Sequence, residues 1–141
     1  MSEEAYLRAC AEAWETIILQ VRPSVVHAAS NYVTALPALI AAKKTGVSFV
    51  YEVRGFWEVT RSSRDKSFMN TAKYRYMALF EKVVCDQADK VITITPPMKK
   101  ELMHRGLPEE KISIAFNSVD VERFVPVPRD EALAEKLGIA G

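Results

Sequence analysis

Residues 25–53 read VVHAASNYVTALPALIAAKKTGVSFVYEV and hold the pattern from which the rest of the chain can be interpreted. Residues 25–29 and residues 48–53 are short β-branched runs, and each predicts a strand. A helix is predicted between them, within residues 31–45, and Gly46 stands where a glycine commonly closes a helix. A strand, a helix and a second strand in this order are typical of a parallel βαβ unit.

The start of the helix within residues 31–45 depends on Pro37. Proline is tolerated in the first turn of a helix and is unfavourable deeper in it. We therefore expect this helix to begin near Ala35 and residues 30–34 to form a loop.

The same alternation of helices and strands continues on both sides of this stretch. The predicted further helices cover about residues 3–21, 68–87, 96–105 and 129–137, the predicted further strands cover residues 90–95 and 111–116, and the polar residues 54–67 are predicted to form a loop. This pattern predicts an α/β fold, a Rossmann-like three-layer αβα domain with a mainly parallel sheet of about four strands.

Composition excludes several functional classes. The chain has 141 residues, with 19 Lys and Arg against 18 Asp and Glu, so its net charge of +1 argues against binding to nucleic acid. No apolar run approaches the roughly 18 residues of a membrane span, and the acidic start does not resemble a signal peptide. Two cysteines cannot build a disulfide framework. A cytoplasmic protein is expected, with the inner face of the membrane as an alternative place.

Ligands of open α/β sheets bind beyond the carboxyl ends of the strands, so the loops there are the candidate sites. Residues 54–75 are the most informative of these, since they contain six basic and two acidic side chains. They begin with Arg54-Gly55-Phe56-Trp57-Glu58, which combines a cation, two aromatic rings and a carboxylate. Such a set can stack on a sugar ring and pair with an anion. The alternative is a solvated loop whose two aromatic rings lie in the core.

Other residues give weaker signals. His27 is interpreted as a core histidine of a buried strand, His104 as a solvated side chain, and Glu81 as a surface carboxylate. The histidines and cysteines show no metal-binding spacing, and no catalytic triad can be assembled from spacing. The five glycines form neither a GxGxxG motif nor a Walker loop, so no metal or cofactor is expected.

The order of motifs resembles the N-terminal domain of family 4 (group 1) glycosyltransferases, which have the GT-B fold. The resemblance rests on VVHAAS at residues 25–30, GVSFVY at 46–51, ADKVIT at 88–93, KISI at 111–114 and NSVDVERF at 117–124. The last segment is the most specific, since with Pro126 it is similar to the family signature "P-N-G-V-D … F-x-P". The likeness covers nearly the whole chain.

The resemblance implies a retaining, metal-independent enzyme that transfers a sugar from a nucleotide-sugar donor to a glycan or lipid-linked acceptor. It implies that residues 1–116 are part of the acceptor-side domain and that residues 117–141 are the linker and the start of a donor-binding domain. A chain of this extent is expected to be inactive alone. Contact of the parent enzyme with a membrane surface is a further expectation.

The acceptor and cleft residues are expected at the strand ends, with a hinge after the last strand. The cleft candidates are Ser30, Asn31, Arg54, Gly55, Trp57, Glu58 and Arg61, and the hinge candidates are Asn117, Ser118 and Asp120. In these roles the rings at 56 and 57 stack on sugar, the arginines supply charge, and Glu58 bonds to hydroxyl groups. The chain departs from the family in having Arg54 where a histidine is common and Ser118 where a glycine is common. By the same resemblance Glu81 packs or pairs near the cleft floor.

Two other functions remain open at this point. A sugar-nucleotide epimerase has the same GT-B architecture, and a non-catalytic binding module would need neither donor nor acceptor. The strand at residues 25–29 is expected to be an unprotected sheet edge, which favours a homodimer of the chain.

Overall fold

The computed structural model describes residues 2–139 of the chain. It contains six α-helices and four strands within those residues. The helices are α1 (Glu3–Val21), α2 (Tyr32–Thr45), α3 (Trp57–Arg64), α4 (Ala72–Gln87), α5 (Pro96–His104) and α6 (Glu131–Lys136), the strands are β1 (Val25–Ala29), β2 (Ser48–Val53), β3 (Lys90–Thr93) and β4 (Ile112–Ile114), and short 3₁₀ turns cover Lys66–Asn70 and Glu109–Lys111.

The four strands form one parallel sheet in the order β1-β2-β3-β4. In its register, Ala28 lies beside Tyr51, Tyr51 beside Val91, and Val91 beside Ile112. The predicted α/β class, with a four-stranded parallel sheet of the Rossmann-like type, is confirmed. Every crossover moves in the same direction along the sheet, so right-handed connections place α2, α4 and α5 on the same face.

The two faces of the sheet differ in burial. We call the face under these helices the covered face, and on it Phe49, Tyr51, Val53, Val91 and Thr93 are fully buried. The alternate residues form the open face, and none of them is buried: they are Val25, His27, Ala29, Ser48, Val50, Glu52, Lys90, Ile92 and Ser113. The expectation of helices on both faces is thus met on one face within residues 2–139.

Helix α1 packs against α2 through Leu7, Ala11 and Ile18, which are buried. Its amino terminus is capped as the sequence indicates, because the Ser2 hydroxyl accepts the Ala5 N–H at 3.2 Å. The helix ends at Arg22, which adopts a left-handed conformation with φ 51° and donates its N–H to the Ile18 carbonyl. An apolar stripe beside the buried face of α1 remains exposed.

Two helix boundaries differ from the predictions. Helix α2 begins at Tyr32, so residues 30–34 are not all loop and Pro37 lies inside the helix. The earlier start is favoured because the Asn31 side chain caps it by accepting the Val33 N–H. Helix α4 begins at Ala72, after a 3₁₀ turn, and not at Phe68, since the Thr71 hydroxyl accepts the Tyr74 N–H and caps the helix there.

The polar residues 54–67, predicted as a loop, contain the two-turn helix α3. The sequence of α3 has no apolar stripe, which is why its periodicity gives no helical signal. Its acidic residue, Glu58, lies in the first turn, where the helix dipole favours a negative charge. This helix forms one wall of the site described next.

Candidate functional site

An open groove of about 930 Å³ lies at the carboxyl ends of β1 and β2. It is lined by Ser30, Arg54, Gly55, Trp57, Thr60, Arg61, Arg64 and Asp65. Ser30 directly follows β1 and Arg54 directly follows β2, so adjacent parallel strands deliver both residues to the same edge of the sheet. Five of the seven cleft candidates therefore come together in one groove, and Asn31 and Glu58 do not line it.

One face of α3 supplies half of the groove lining. Trp57, Thr60, Arg61 and Arg64 are spaced at i, i+3, i+4 and i+7, which places them on the same side of a helix. Trp57 is 56% exposed, so its ring is available for stacking. A single helical face thus presents an aromatic ring, a hydroxyl group and two guanidinium groups to the groove.

The opposite side of α3 is fixed by a buried ion pair. The Arg105 guanidinium donates to Glu58 at 2.7 Å and to Glu101 at 2.8 Å, and it lies 4.0 Å above the ring of Phe56. The Glu58 side chain is only 2% exposed. The expectation that Glu58 bonds to a substrate hydroxyl does not fit this position, because its carboxylate points to Arg105. Phe56 likewise packs against Arg105 and is not in the groove lining. Sequence spacing gave no signal for this pair, since its partners are 47 residues apart.

Arg54 enters the groove with its charge already paired. Its Nε donates to Glu52 Oε1 at 2.8 Å and its Nη2 to Glu52 Oε2 at 3.3 Å, a fork-like arrangement. These hydrogen bonds, together with the nearby charges of Arg54 and His27, lower the pKa of Glu52 although its partial burial acts in the opposite direction. The Arg54 side chain is itself 60% exposed.

His27 lies on the open face of the edge strand, and its interpretation as a core histidine is wrong. The residue is exposed, and its Nε2 lies 3.1 Å from Glu52 Oε2. The strand β1 was expected to be buried on both faces, but helices cover only one of them among the described residues. His27, Glu52 and Arg54 therefore form a connected polar row on the open face that leads to the groove.

The other two arginines of the groove differ from Arg54. The Arg61 guanidinium lies 4.5 Å above the ring of Phe68, and neither it nor Arg64 has a carboxylate within 4.0 Å among residues 2–139. Asp65 is the acidic side chain of the lining. It accepts hydrogen bonds from the backbone N–H and the hydroxyl of Ser67, and the hydroxyl bond is the main reason why its pKa is lowered.

The floor of the groove is held by Ser30. Its hydroxyl donates to the Glu52 carbonyl at 3.3 Å and accepts the Arg54 N–H at 2.8 Å, so it ties the ends of β1 and β2 together. Asn31 is buried and caps α2 with its side-chain oxygen, so it fixes the corner at which the chain turns from β1 into α2.

A buried carboxylate lies under this corner. Glu81 of α4 accepts a hydrogen bond from the Tyr51 hydroxyl through Oε1 and one from the Tyr32 N–H, at 3.2 Å, through Oε2. Burial raises the pKa of Glu81 to about 6, and the hydrogen bond from Tyr51 opposes this shift. Burial, followed by the charge of Glu81, also raises the pKa of Tyr51. The interpretation of Glu81 as a surface carboxylate is wrong, since the residue is 4% exposed.

The segment after β4 does not reach the groove lining. Asn117, Ser118 and Asp120 are all exposed, and Asp120 accepts backbone N–H groups of the next turn at 3.1 and 3.2 Å. Ser118, which replaces a common glycine, does not need a glycine's freedom, because Arg22 is the only non-glycine with positive φ among residues 2–139.

Within residues 2–139, no three His, Cys, Asp or Glu side chains converge as a metal-binding group. No helix in that range has the length and the apolar character that crossing a membrane requires.

Comparison with protein families gives a match to Glycosyltransferase Family 4 over residues 3–123, which is most of the chain. The chain belongs to glycosyltransferase family 4. The family 4 match includes β1 to β4 and all residues that line the groove. A comparison with curated proteins found no match.

Solved structures with a similar fold include S. aureus MnaA in complex with UDP, with a TM-score of 0.60 and 15% identity over 81% of this chain. A UDP-GlcNAc 2-epimerase from Methanocaldococcus jannaschii has a TM-score of 0.53 and 17% identity over 74% of this chain. The chain spans 28% and 26% of these proteins, respectively, so it corresponds to about a quarter of their length. At this identity the likeness shows the fold and not the reaction.

Proposed function

We propose that this family 4 domain is the acceptor-binding side of a retaining, metal-independent glycosyltransferase, whose donor is a nucleotide sugar and whose acceptor is a glycan or a lipid-linked sugar. The observation that carries the proposal is the groove at the carboxyl ends of β1 and β2, with an exposed indole and three arginines in its wall. Sugar rings stack on exposed aromatic rings, and the position is the usual one for ligands of parallel sheets.

In this proposal the chain contributes positioning and charge. Trp57 holds the acceptor ring, the arginines bind its polar or anionic group, and Ser30 fixes the floor on which both rest. Transfer with retention requires the acceptor hydroxyl to approach the sugar on the face from which the nucleotide leaves. Positioning of this kind supplies a large part of the rate enhancement of an enzyme. Glu58 acts indirectly, since its pair with Arg105 holds α3 in place.

The proposed division into domains places residues 1–116 in the acceptor-side domain and residues 117–141 in the linker and the beginning of the donor-side domain. The exposure of nearly all of residues 117–139 supports it. Transfer then requires a donor-side domain in addition to this chain, and the chain alone is expected to be inactive.

The test is product analysis with the full-length protein that contains this chain. It is incubated with a panel of nucleotide sugars and sugar acceptors, and the products are identified by NMR. The proposal predicts a glycoside whose anomeric configuration equals that of the donor. A glycoside of inverted configuration, or no glycoside with any donor, would contradict it.

The epimerase alternative stays open because the fold is similar to that of a UDP-GlcNAc 2-epimerase, a likeness that shows the fold and not the reaction. An epimerase acts on the nucleotide sugar alone, so an exposed stacking ring for an acceptor has no role in it. The same NMR experiment separates the two reactions. Free epimerised sugar nucleotide without any glycoside would establish the epimerase and exclude the transferase.

A second copy of the chain is the proposed partner at the β1 edge. The start of this edge strand is exposed at Val25, and α1, which precedes it in the chain, presents the exposed apolar side chains Tyr6, Trp14, Ile17 and Val21. The chain exposes 9686 Å², whereas a compact monomer of this mass exposes about 7,300 Å². The excess, to which the extended residues 117–130 contribute, is larger than the roughly 800 Å² that each partner buries in a stable dimer.

The dimer is tested by sedimentation of the 141-residue chain. The proposal predicts a dimer that becomes monomeric when Ile17→Glu places a charge in the apolar stripe. Thr16→Glu is the matched control, because this exposed residue lies on the other side of α1. A wild-type chain that remains monomeric, or a control that dissociates equally, would exclude this interface.

A further inference from the structure

We infer that the groove selects a phosphorylated acceptor, whose phosphate group is bound by Arg61 and Arg64 and whose sugar ring lies against Trp57. This inference rests on the proposed function and adds the chemical class of the acceptor. It also changes the assignment that the sequence favours, since Arg54 is the first arginine that the sequence suggests as an anion-binding residue.

Part of the positive charge in the groove is already paired within the chain. The Arg54 guanidinium is bound in a bidentate manner by Glu52, so its positive charge is largely compensated. Arg61 and Arg64 have no carboxylate within ion-pair distance in the described part of the chain. Asp65, the remaining acid of the lining, accepts two hydrogen bonds from Ser67 and interacts with the charge of Arg61, but its single charge offsets only one of the two arginines. A net positive charge therefore remains on one turn of α3.

The ring and the two guanidinium groups lie in a row on one helix face. Trp57, Arg61 and Arg64 follow one another along the same face of α3, at intervals of four and three residues. A ligand that lies along this face contacts the ring with one end and both guanidinium groups with the other. Arg61 is oriented in advance by its contact with the Phe68 ring, 4.5 Å from the guanidinium carbon, and Phe68 is itself buried.

The donor groups of the two arginines favour a phosphate group as the anion. Two guanidinium groups offer several N–H donors in planar forks, which match the oxygens of a phosphate group better than the single acceptor of a neutral sugar. The groove is open and about 930 Å³ in volume, which suits a sugar together with a charged substituent. A phosphate ester thus explains both the aromatic and the basic part of the α3 face.

Two sources can supply this chemistry, a soluble sugar phosphate or the phosphate of a lipid-linked sugar. Both present the same group to Arg61 and Arg64, and the experiment distinguishes them by its probes. Glucose 1-phosphate and inorganic phosphate represent the soluble source. Vesicles of phosphatidylglycerol, with phosphatidylcholine vesicles as the neutral comparison, represent the lipid source.

The test is an NMR titration of the 141-residue chain, monitored at the Trp57 indole and the α3 amides. We expect saturable shifts with inorganic phosphate and tighter binding of glucose 1-phosphate, because the ring adds a contact with Trp57. Arg64→Gln should weaken binding of glucose 1-phosphate about tenfold and Arg61→Gln together with Arg64→Gln by more. Arg75→Gln is the matched control, since it removes the same charge from an exposed residue of α4 outside the groove.

Arg61→Lys provides a variant that keeps the charge, in case the glutamine variants disturb the packing on Phe68. It should bind glucose 1-phosphate more weakly than the wild-type chain, because lysine lacks the planar fork. The inference is overturned if the wild-type chain shows no saturable shift with either phosphate, or if the double glutamine variant binds as well as the Arg75→Gln control. If binding to phosphatidylglycerol vesicles depends on Arg61 and Arg64, the lipid-linked sugar is the source of the phosphate. If vesicle binding does not depend on these arginines, the soluble sugar phosphate is the source.

Failure of this inference and failure of the proposed function are distinguishable. Transfer to an uncharged acceptor that is unaffected by the double glutamine variant would overturn the inference and leave the transferase in place. Arginine-dependent phosphate binding without glycoside formation by the full-length protein would support the phosphate site on α3 and contradict the transferase.

Discussion

An arginine–glutamate pair lies on each side of the sheet. One pair is buried and stabilises the fold, whereas the other is exposed and lies beside the groove. On the helix-covered side, Arg105 binds Glu58 at 2.7 Å, with side chains 18% and 2% exposed. On the open face, Arg54 binds Glu52 at 2.8 Å, with side chains 60% and 13% exposed. The lengths are similar, but the surroundings differ in how far water screens the charges.

The same contrast appears in the pKa values of two glutamates, namely Glu81 near the buried pair and Glu52 of the exposed pair. Glu81 of α4, which accepts a hydrogen bond from Tyr51 on the covered face, has a raised pKa because burial penalises its charge. Glu52, on the open face, has a lowered pKa because Arg54 donates hydrogen bonds to it. The covered face thus contributes stability through packing, whereas on the open face Arg54 reaches the groove with its charge largely compensated by Glu52.

The largest effect is expected from breaking the buried pair. Arg105→Met leaves Glu58 buried without its cation, which should lower the free energy of unfolding by about 3–5 kcal/mol. Urea denaturation of the chain measures this change. The double variant Glu58→Met with Arg105→Met should recover much of the loss, because no buried unpaired charge remains and the other partner of Arg105, Glu101, is 42% exposed. A double variant that is less stable than the single one would contradict this description of the pair.

Adjacent residues of β3 compare the two faces directly. Val91 is fully buried on the covered face, and Ile92 is only partly buried on the open one. Val91→Ala should cost about 2–3 kcal/mol of unfolding free energy, and Ile92→Ala about 1 kcal/mol, although isoleucine loses more atoms. Equal losses in urea denaturation would show that the open face is buried in solution.

The pH dependence of stability should reveal Glu81. Its pKa of about 6 lies above its ordinary value of 4.5, so the folded chain binds the proton more tightly than the unfolded chain. The free energy of unfolding should therefore fall by about 2 kcal/mol as the pH rises through 4.5 to above 6. Glu58 and Arg105 act on this carboxylate in opposite directions.

The control for this prediction is Glu81→Gln, which retains an acceptor for the Tyr51 hydroxyl and does not titrate. The difference in unfolding free energy between the wild type and this variant, taken across the same pH range, isolates the contribution of Glu81. A difference that is constant from pH 4.5 to 7 would contradict the raised pKa.

The smallest effect is expected from the pair on the open face. Glu52→Gln should cost less than about 1 kcal/mol, because Arg54 is well exposed and water replaces the carboxylate. Since the pKa of Glu52 is lowered, its contribution is present at neutral pH and is lost as the pH falls through the folded-state pKa. A loss as large as that of Arg105→Met would remove the distinction between the two faces.

Much of the fold could be predicted from the sequence because the strands are short, β-branched and separated by helical periods. All four strands, the long helices and the placement of loops at one sheet edge follow from local pattern. The boundaries that were missed depend on capping, as at Asn31, or on a helix without an apolar stripe, as in α3. The alternation of buried and partly exposed residues along β2 was not expected. It arises because the strand order places the crossover helices on one face of the sheet, and strand order is not a local property of the sequence.

The candidate site was predictable where chain order determines position. Ser30 and Arg54 follow adjacent strands, and Trp57 and Arg61 follow soon after, so their convergence is a consequence of topology. The buried partners were not predictable in the same way. Glu58 with Arg105, and Glu81 with Tyr51, are 47 and 30 residues apart, and only packing of α3, α4 and α5 on the sheet brings them together.

The most direct test of the central claim, that this groove binds the acceptor, is the acceptor KM of the full-length protein with Trp57→Ala. Val59→Ala is the matched control, since Val59 is an exposed residue of the same helix and does not line the groove. Trp57→Ala should raise the acceptor KM about tenfold and leave the donor KM unchanged. The Val59→Ala control should have the KM values of the wild type. An unchanged acceptor KM, or a donor KM raised to the same extent, would contradict the assignment of the groove.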